Sequence, residues 1–179
     1  DTSFPVMTFG WNASDLDGDN TIQFINVALN DTSNFVSLDG GVRIITIRTK
    51  DFNSANPLCD ILIEGSSSNI FREKLSGLKF NDVNKFYVQA VDISGAKTSF
   101  IQLPDSNKTW FVKKPKGKLL VIDDYRTVDN TAQFYASMFD SLNLNDKYDV
   151  YDLLNQTPPY LNITFFETIK LFNLVFWYA

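Results

Sequence analysis

The sequence contains no histidine in 179 residues, and its single cysteine, Cys59, has no second cysteine with which to form a disulfide. The first absence removes the side chain that most often acts as an acid or base near neutral pH and that commonly binds zinc. A lone thiol without histidine also lacks the usual base that activates a cysteine nucleophile. We therefore expect a protein that is not an enzyme, with Cys59 buried in a core.

Long apolar runs and concentrated positive charge are missing as well. No stretch reaches the roughly 18 apolar residues that a membrane-spanning helix needs. The net charge is −5, and the one group of basic residues, within Lys113–Lys118, is predicted to be a solvated connection. We expect no membrane span and no nucleic-acid partner.

Material for packed cores is plentiful, because 44% of the residues are hydrophobic and sixteen are phenylalanine. In residues 1–104, short apolar or alternating runs are separated by clusters of Asp, Asn, Gly and Ser, which favour turns. Six strands are predicted, at Val6–Trp11, Thr21–Leu29, Val42–Arg48, Cys59–Glu64, Lys85–Val91 and Thr98–Leu103. Strands at this spacing predict a β-sandwich of two sheets.

Two parts of this region resemble the immunoglobulin-like fibronectin type III family. Trp11, the acidic loop after it and Phe24-Ile25 are similar to the second and third strands of that sandwich. Leu75–Leu78 and then Phe86–Gly95 are similar to its approach to the sixth strand and the hairpin that follows. The resemblance covers roughly residues 4–104 and departs from the family around residues 50–75.

The resemblance implies roles for particular residues. Trp11 is expected to be the core tryptophan between the sheets, Tyr87 the tyrosine of the tyrosine corner, and Asp92–Gly95 the turn of the final hairpin. Residues 105–117 are predicted to connect this domain to a second one, with Trp110 and Phe111 packed at the boundary.

From residue 118 the pattern changes to alternating strands and helices. Three strands are predicted, at Leu119–Asp124, Tyr148–Leu153 and Leu174–Tyr178. The first helix is predicted from the N-cap Asn130 to Leu142, and the second from Thr164 to Phe172 with a Thr164–Glu167 capping box. An extended turn is predicted at Pro158-Pro159. This βαβαβ order is half of a doubly wound parallel sheet.

Residues 118–179 resemble the start of a flavodoxin-like or class I glutamine-amidotransferase-like domain. Because such a domain has further strands, we expect residues 118–179 to be a truncated domain and the sequence to be an excerpt of a longer polypeptide. The fold class predicted for the chain is thus a fibronectin III-like β-sandwich followed by an incomplete α/β domain.

The acidic loop after Trp11 is a candidate metal site. Asp15, Asp17 and Asp19 alternate around Gly18, a spacing that brings oxygen ligands around a hard cation such as calcium. The full EF-hand pattern is absent, because Asn26 stands where the bidentate Glu is required. The same residues also suit a structural turn, so the sequence leaves a weak calcium site and a turn as alternatives, and predicts no other cofactor.

A second acidic pair, Asp123-Asp124, follows the first predicted parallel strand, at the end of the sheet where α/β folds bind ligands. The pair resembles the metal-binding acids of response-regulator receiver domains. The alternative is a hydrogen-bonding pair that positions Tyr125 and Arg126.

The order of these motifs resembles large multidomain surface proteins of Bacteroidetes and virion proteins of crAss-like phages. The function expected from that resemblance is a spacer, adhesion or docking module at a cell surface, outside the cell or in a virion. Its partners would be other protein subunits or the remainder of its own chain. Two alternatives are the accessory part of a hydrolase whose catalytic residues lie beyond Ala179, and a calcium-stiffened carbohydrate-binding module.

Overall fold

The computed structural model describes residues 1–127, 129–155 and 162–179. The chain divides into two compact units, Asp1–Lys114 and Pro115–Ala179. The boundary falls inside the predicted connection, so residues 105–114 belong to the first unit and residues 115–117 to the second. Most regular structure is β-strand, and the described residues hold two α-helices.

The first unit is built of short strands in three sheets. Its strands are β1 (Thr2–Ser3), β2 (Val6–Gly10), β3 (Ile22–Leu29), β4 (Phe35–Asp39), β5 (Ile44–Arg48), β6 (Asp60–Ile63), β7 (Asp82–Asn84), β8 (Phe86–Asp92), β9 (Ile101–Leu103) and β10 (Trp110–Val112). Antiparallel pairing gives one sheet in the order β2-β5-β6 and another in the order β4-β3-β8-β9. The third sheet, β1-β10-β7, pairs β1 with β10 in parallel.

One core joins the two larger sheets. Ile45 of β5, Ile25 of β3 and Phe86 of β8 are completely buried in the same apolar cluster. The Phe9 ring stacks on Phe86 with a centroid separation of 4.0 Å. The first unit is therefore β-rich, with a single core that includes residues of both sheets.

All six strands predicted for this unit are present, with ends that differ by a few residues. The sequence did not predict β1, β4 or β7, and it left β10 uncertain. The segment at residues 50–75, where the sequence departs from the fibronectin type III pattern, contains β6. Isolated bridges in it pair Cys59 with Leu75 and Leu62 with Ile70. Single bridges give no alternating run, so they leave no periodic signal in the sequence.

Trp110 is the more deeply buried tryptophan of the first unit, whereas Trp11, expected as the core tryptophan, packs partly buried against the same core and stacks on Phe86 at a centroid distance of 6.1 Å. Trp110 is 2% exposed, and its ring meets Phe9 edge-on at 5.2 Å. Trp11 is only half-buried, and its indole N–H donates to the Val42 carbonyl at 3.1 Å. Two tryptophans have the same hydrophobicity, so the sequence does not show which of them is buried more deeply. The pairing of β10 with its neighbouring strands determines which indole is enclosed.

Tyr87 is also placed differently from the expectation. Its hydroxyl donates to the Gln102 side chain at 3.3 Å, whereas a tyrosine corner bonds to backbone upstream. The turn predicted at Asp92–Gly95 is present: the Gly95 N–H donates to the Asp92 carbonyl, and Gly95 has a φ of +88°.

The second unit is a parallel sheet with helices. Its elements are β11 (Leu119–Asp123), α1 (Thr131–Ser141), β12 (Tyr148–Asp152), α2 (Asn162–Ile169) and β13 (Leu174–Tyr178). The strand order is β12-β11-β13, and both pairs are parallel. Three apolar residues of the central strand are buried, as expected for a strand with neighbours on both sides: Leu120, Val121 and Ile122.

The helices pack on opposite faces of this sheet. Tyr135 of α1 contacts Phe176 at 5.1 Å. On the other face, Phe165 of α2 contacts Tyr151 at 5.4 Å and Trp177 at 6.1 Å. Side chains of a strand alternate between faces, so β13 supplies Phe176 to one helix and Trp177 to the other.

The helix starts differ from the sequence predictions. Asn130 precedes α1, but the carboxylate of Asp129 accepts the Thr131 N–H at 2.8 Å, and Asn130 makes no side-chain cap. Thr164 and Glu167 lie inside α2 and are buried, so they do not form a capping box at its start. The predicted turn at residues 158–159 lies outside the described residues.

Candidate functional site

The carboxyl ends of the parallel strands bring Asp123, Asp152 and Tyr178 into one row. Asp123 is in register with Asp152 on one side and with Tyr178 on the other. The pKa of the Tyr178 hydroxyl is raised by burial, by a hydrogen bond with Asp123 and by the charges of Asp123 and Asp152. Tyr178 is therefore a neutral hydrogen-bond donor near neutral pH.

The carboxylates of this row are engaged in local hydrogen bonds. Asp123 accepts the Tyr125 N–H at 3.2 Å, which is the hydrogen-bonding role that the sequence offered as the alternative to metal binding. Asp152 is slightly buried, which acts to raise its pKa. Bonds from the Asn155 side chain and from the backbone of Asn155 and Leu154 outweigh this and hold the pKa of Asp152 below its usual value. These contacts shape the ends of the strands.

The Asp15–Asp19 loop forms a hydrogen-bonded turn. Asp15 accepts the Asp17 N–H at 2.9 Å, and Asp19 accepts the Asp15 N–H at 3.2 Å. Gly18 has a φ of +109°, a left-handed conformation that side chains rarely adopt. Across the part of the chain that the structure describes, no three Asp, Glu, Cys or His side chains are grouped as a metal site requires.

Cys59 is completely buried, as predicted. Burial and the neighbouring charge of Asp60 raise the pKa of its thiol to about 12, although Lys74 acts in the opposite direction. The thiolate is thus not populated near neutral pH, and Cys59 is a core side chain.

The outer edge of β13 is the most unusual surface of the second unit. Leu174 donates its N–H to the Lys118 carbonyl, and the Tyr178 carbonyl accepts an N–H at the far end of β11. Because backbone groups alternate along a strand, those of Val175 and Trp177 point to the open side. No strand of the described residues pairs with that side.

This edge is apolar on both faces. Leu174 is 65% exposed on the face of α1, while Val175 is 41% exposed and Trp177 49% exposed on the face of α2. The strand contains no charge, proline or glycine. Natural edge strands that remain open usually carry such residues, because a bare edge recruits other strands.

An exposed stripe of α1 continues this surface. Phe134 and Met138 of α1 and Leu142, directly after the helix, recur every four residues and are all exposed. Tyr135 and Phe139 point at the sheet, where both contact Phe176. Parallel strands are joined by right-handed crossovers, a geometry that places the stripe on the β13 side of α1. We call β13 together with this stripe the β13 edge.

The opposite edge strand of the sheet, β12, carries a buried acidic side chain. Asp149 of β12 is buried, and its carboxylate accepts the Lys116 N–H at 2.7 Å. Gly117 passes so close that a Cβ there would lie 1.7 Å from the Lys147 carbonyl oxygen. The chain before β11 therefore packs closely against the start of β12, and among the described residues the outer sides of β12 and β13 both lack a paired strand.

The β13 edge is not predictable from the sequence, because an apolar strand gives the same pattern whether one or both of its sides are paired. No helix in the described part of the chain is long and apolar enough to cross a membrane. No protein-family model matches the chain. A search of curated proteins gives no significant match.

Proposed function

We propose that this chain is a structural docking module in which the β13 edge of the second unit is covered by another protein subunit or by the remainder of its own chain. The single observation that carries the proposal is that Leu174, Val175 and Trp177 are exposed on an uncharged strand whose outer side has no paired strand among the described residues. Parallel sheets are normally buried on both faces, and natural proteins usually cover or modify an apolar edge strand. Covering this edge removes apolar surface from water, which stabilises the associated state.

The proposed architecture agrees with this function. The first unit would be a fibronectin III-like sandwich that acts as a spacer, and its single core across two antiparallel sheets supports that assignment. The second would be part of a flavodoxin-like doubly wound domain. Its order β12-β11-β13 supports this, because the flavodoxin-like order begins with the second, first and third strands.

The setting that we propose is a larger assembly outside the cell, at a cell surface or in a virion. Spacer and docking modules in such assemblies need stable folds and exposed contact surfaces, and they need no catalytic groups. The local hydrogen bonds of Asp123 and Asp152 and the buried thiol of Cys59 are consistent with that role.

Two valines provide a matched test. Val175 on β13 and Val150 on β12 are 41% and 42% exposed, and both direct their backbone N–H groups outward. The probe is 8-anilinonaphthalene-1-sulfonate, which fluoresces on exposed apolar surface. In dilute protein, Val175→Lys should reduce the dye fluorescence, and Val150→Lys should leave most of it.

Circular dichroism of both variants controls for unfolding. Equal dye fluorescence in wild type and in a folded Val175→Lys variant would show that the β13 edge is not an available apolar surface, and the proposal would fail.

A further inference from the structure

We infer that the first unit carries a docking surface of its own, which binds a basic protein segment with an apolar stripe. The surface consists of the loops at the ends of β2, β4 and β8, at residues 11–21, 39–43 and 92–97, and we call it the loop end. It involves no residue of the β13 edge, so the inference goes beyond the proposed function. The first unit would then bind a partner in addition to acting as a spacer.

Hydrogen bonds between the loops hold the loop end together. The Ile93 N–H donates to the Thr21 carbonyl at 2.8 Å, which joins the third loop to the first. The Arg43 guanidinium donates to the Ala13 carbonyl at 3.4 Å and to the Gly40 carbonyl at 2.6 Å, which joins the second loop to the first. A surface that is already ordered loses little conformational freedom when a partner binds.

Apolar side chains project from this ordered surface. Leu16 is fully exposed and Ile93 is 72% exposed, and these are the two most exposed large apolar side chains in the described part of the chain. Phe24, in register with Val91 two residues before Ile93, is 41% exposed on the strand beside the third loop. Loop tips are usually built of small and polar residues, whereas grouped apolar side chains mark a contact surface. A partner that covers them removes apolar area from water.

The surroundings of these apolar side chains are acidic. Five carboxylates belong to the loop end: Asp15, Asp17, Asp19, Asp39 and Asp92. The two basic side chains of these loops are Arg43 and Lys97, and the Arg43 guanidinium is directed at backbone carbonyls within them. A partner with lysine or arginine around its apolar contact is therefore attracted, whereas an acidic partner is repelled.

The combination of apolar and acidic groups discriminates between occupants. A cation alone would contact carboxylates and leave Leu16 and Ile93 in water. A second copy of the chain would bring the same carboxylates to a negative surface, and a nucleic acid would bring phosphates. A protein segment whose apolar stripe is flanked by positive side chains meets both requirements, because it covers the apolar side chains and pairs with the carboxylates at the rim.

Fluorescence anisotropy of a labelled peptide tests the inference. The probe is a helix-forming peptide of leucine and lysine with all its leucines on one face, mixed with the full chain in EDTA so that no divalent cation neutralises the carboxylates. Leu16→Ser combined with Ile93→Ser should raise the peptide dissociation constant by about tenfold or more. The matched control is Ile70→Ser combined with Ile101→Ser, which removes two exposed isoleucines outside the loop end and should leave the constant unchanged within about twofold.

Charge variants give a second measurement that leaves the apolar side chains in place. Asp17→Asn removes an exposed carboxylate from a residue whose N–H makes the turn bond. It should weaken peptide binding severalfold, and Asp105→Asn, which removes an exposed carboxylate outside the loop end, should not. Raising the salt concentration should weaken binding to the wild-type chain, since exposed charges are screened. Circular dichroism checks that each variant is folded.

The inference would be overturned if the wild-type chain did not bind the peptide, if the two double variants had equal effects, or if polylysine, which has the charge without the apolar stripe, bound equally well. Equal effects of Asp17→Asn and Asp105→Asn would also overturn it, because binding would then follow net charge alone. None of these results concerns the β13 edge, which the dye measurement with Val175→Lys tests separately.

Discussion

Asp149 and Val175 occupy equivalent positions on the two sides of Leu120, yet their surroundings are opposite. Both are in register with Leu120 in the parallel sheet of the second unit, so their side chains lie on the same face. The carboxylate of Asp149 is 5% exposed and bonded to the Lys116 N–H, whereas the apolar Val175 is 41% exposed. The sheet thus has one edge strand with two acidic side chains and one edge strand without charge.

Gly117 is predicted to be essential to the close packing of the chain before β11 against the start of β12. A Cβ at this position would lie 1.7 Å from the Lys147 carbonyl oxygen. Because that oxygen belongs to the backbone, only a movement of the main chain could relieve the clash. Gly117→Ala should therefore destabilise the second unit by roughly 2 kcal/mol or more in urea denaturation. Gly10→Ala is the control, because the nearest atom to its Cβ would be at an ordinary 3.7 Å. Equal stability of the two variants would contradict the close approach.

Trp110 is predicted to contribute more to the first unit than Trp11. Trp110 is 2% exposed and contacts Phe9, so Trp110→Ala should lower the free energy of unfolding by about 3–5 kcal/mol. Trp11 is half-buried, and Trp11→Ala should cost less than about 2 kcal/mol. Urea denaturation of both variants measures the difference, and the reverse ranking would return the central position to Trp11.

Tyr178 is predicted to make the second unit sensitive to alkali. Its pKa in the folded chain lies above the unfolded value of about 10, so folding favours the neutral phenol. This contribution is fully present below pH about 10 and is lost as the pH rises towards the folded pKa. Tyr178→Phe should therefore flatten the decrease in unfolding free energy above that pH. Buried Tyr151, whose pKa is also raised, should leave a smaller residual decrease. An unchanged slope in Tyr178→Phe would exclude this role.

The Asp15–Asp19 loop is predicted to hold its shape without a metal. Asp15 and Asp19 already accept backbone N–H groups within the turn, so EDTA should leave the melting temperature of the chain unchanged. Asp17→Asn should behave in the same way, because the Asp17 N–H rather than its carboxylate makes the turn bond. A melting temperature that falls with EDTA in wild type, and no longer does so in Asp17→Asn, would establish the calcium site.

Much of the secondary structure is predictable from local pattern. Leu119–Asp123 reads as a buried parallel strand because its apolar residues are continuous, and the structure places it at the centre of the sheet. The five residues Phe35–Asp39 form β4, but their order of two apolar, one polar, one apolar and one acidic residue is too short to be distinguished from a loop.

Long-range contacts limit prediction of the site. The sequence gives Trp11 and Trp110 equal hydrophobicity, and only the pairing of β10 with β1 and β7 encloses Trp110. In the same way, Leu174–Tyr178 predicts a strand but not which of its sides has a neighbour. The open edge becomes visible only from the strand order.

Amide hydrogen exchange of Val175 and Trp177 tests the central claim most directly. We expect fast exchange of both amides in dilute protein, because their outward N–H groups meet water. The Val150 amide, which also points away from the sheet, should exchange at a similar rate. Slow exchange of Val175 and Trp177 in dilute protein would contradict the open β13 edge.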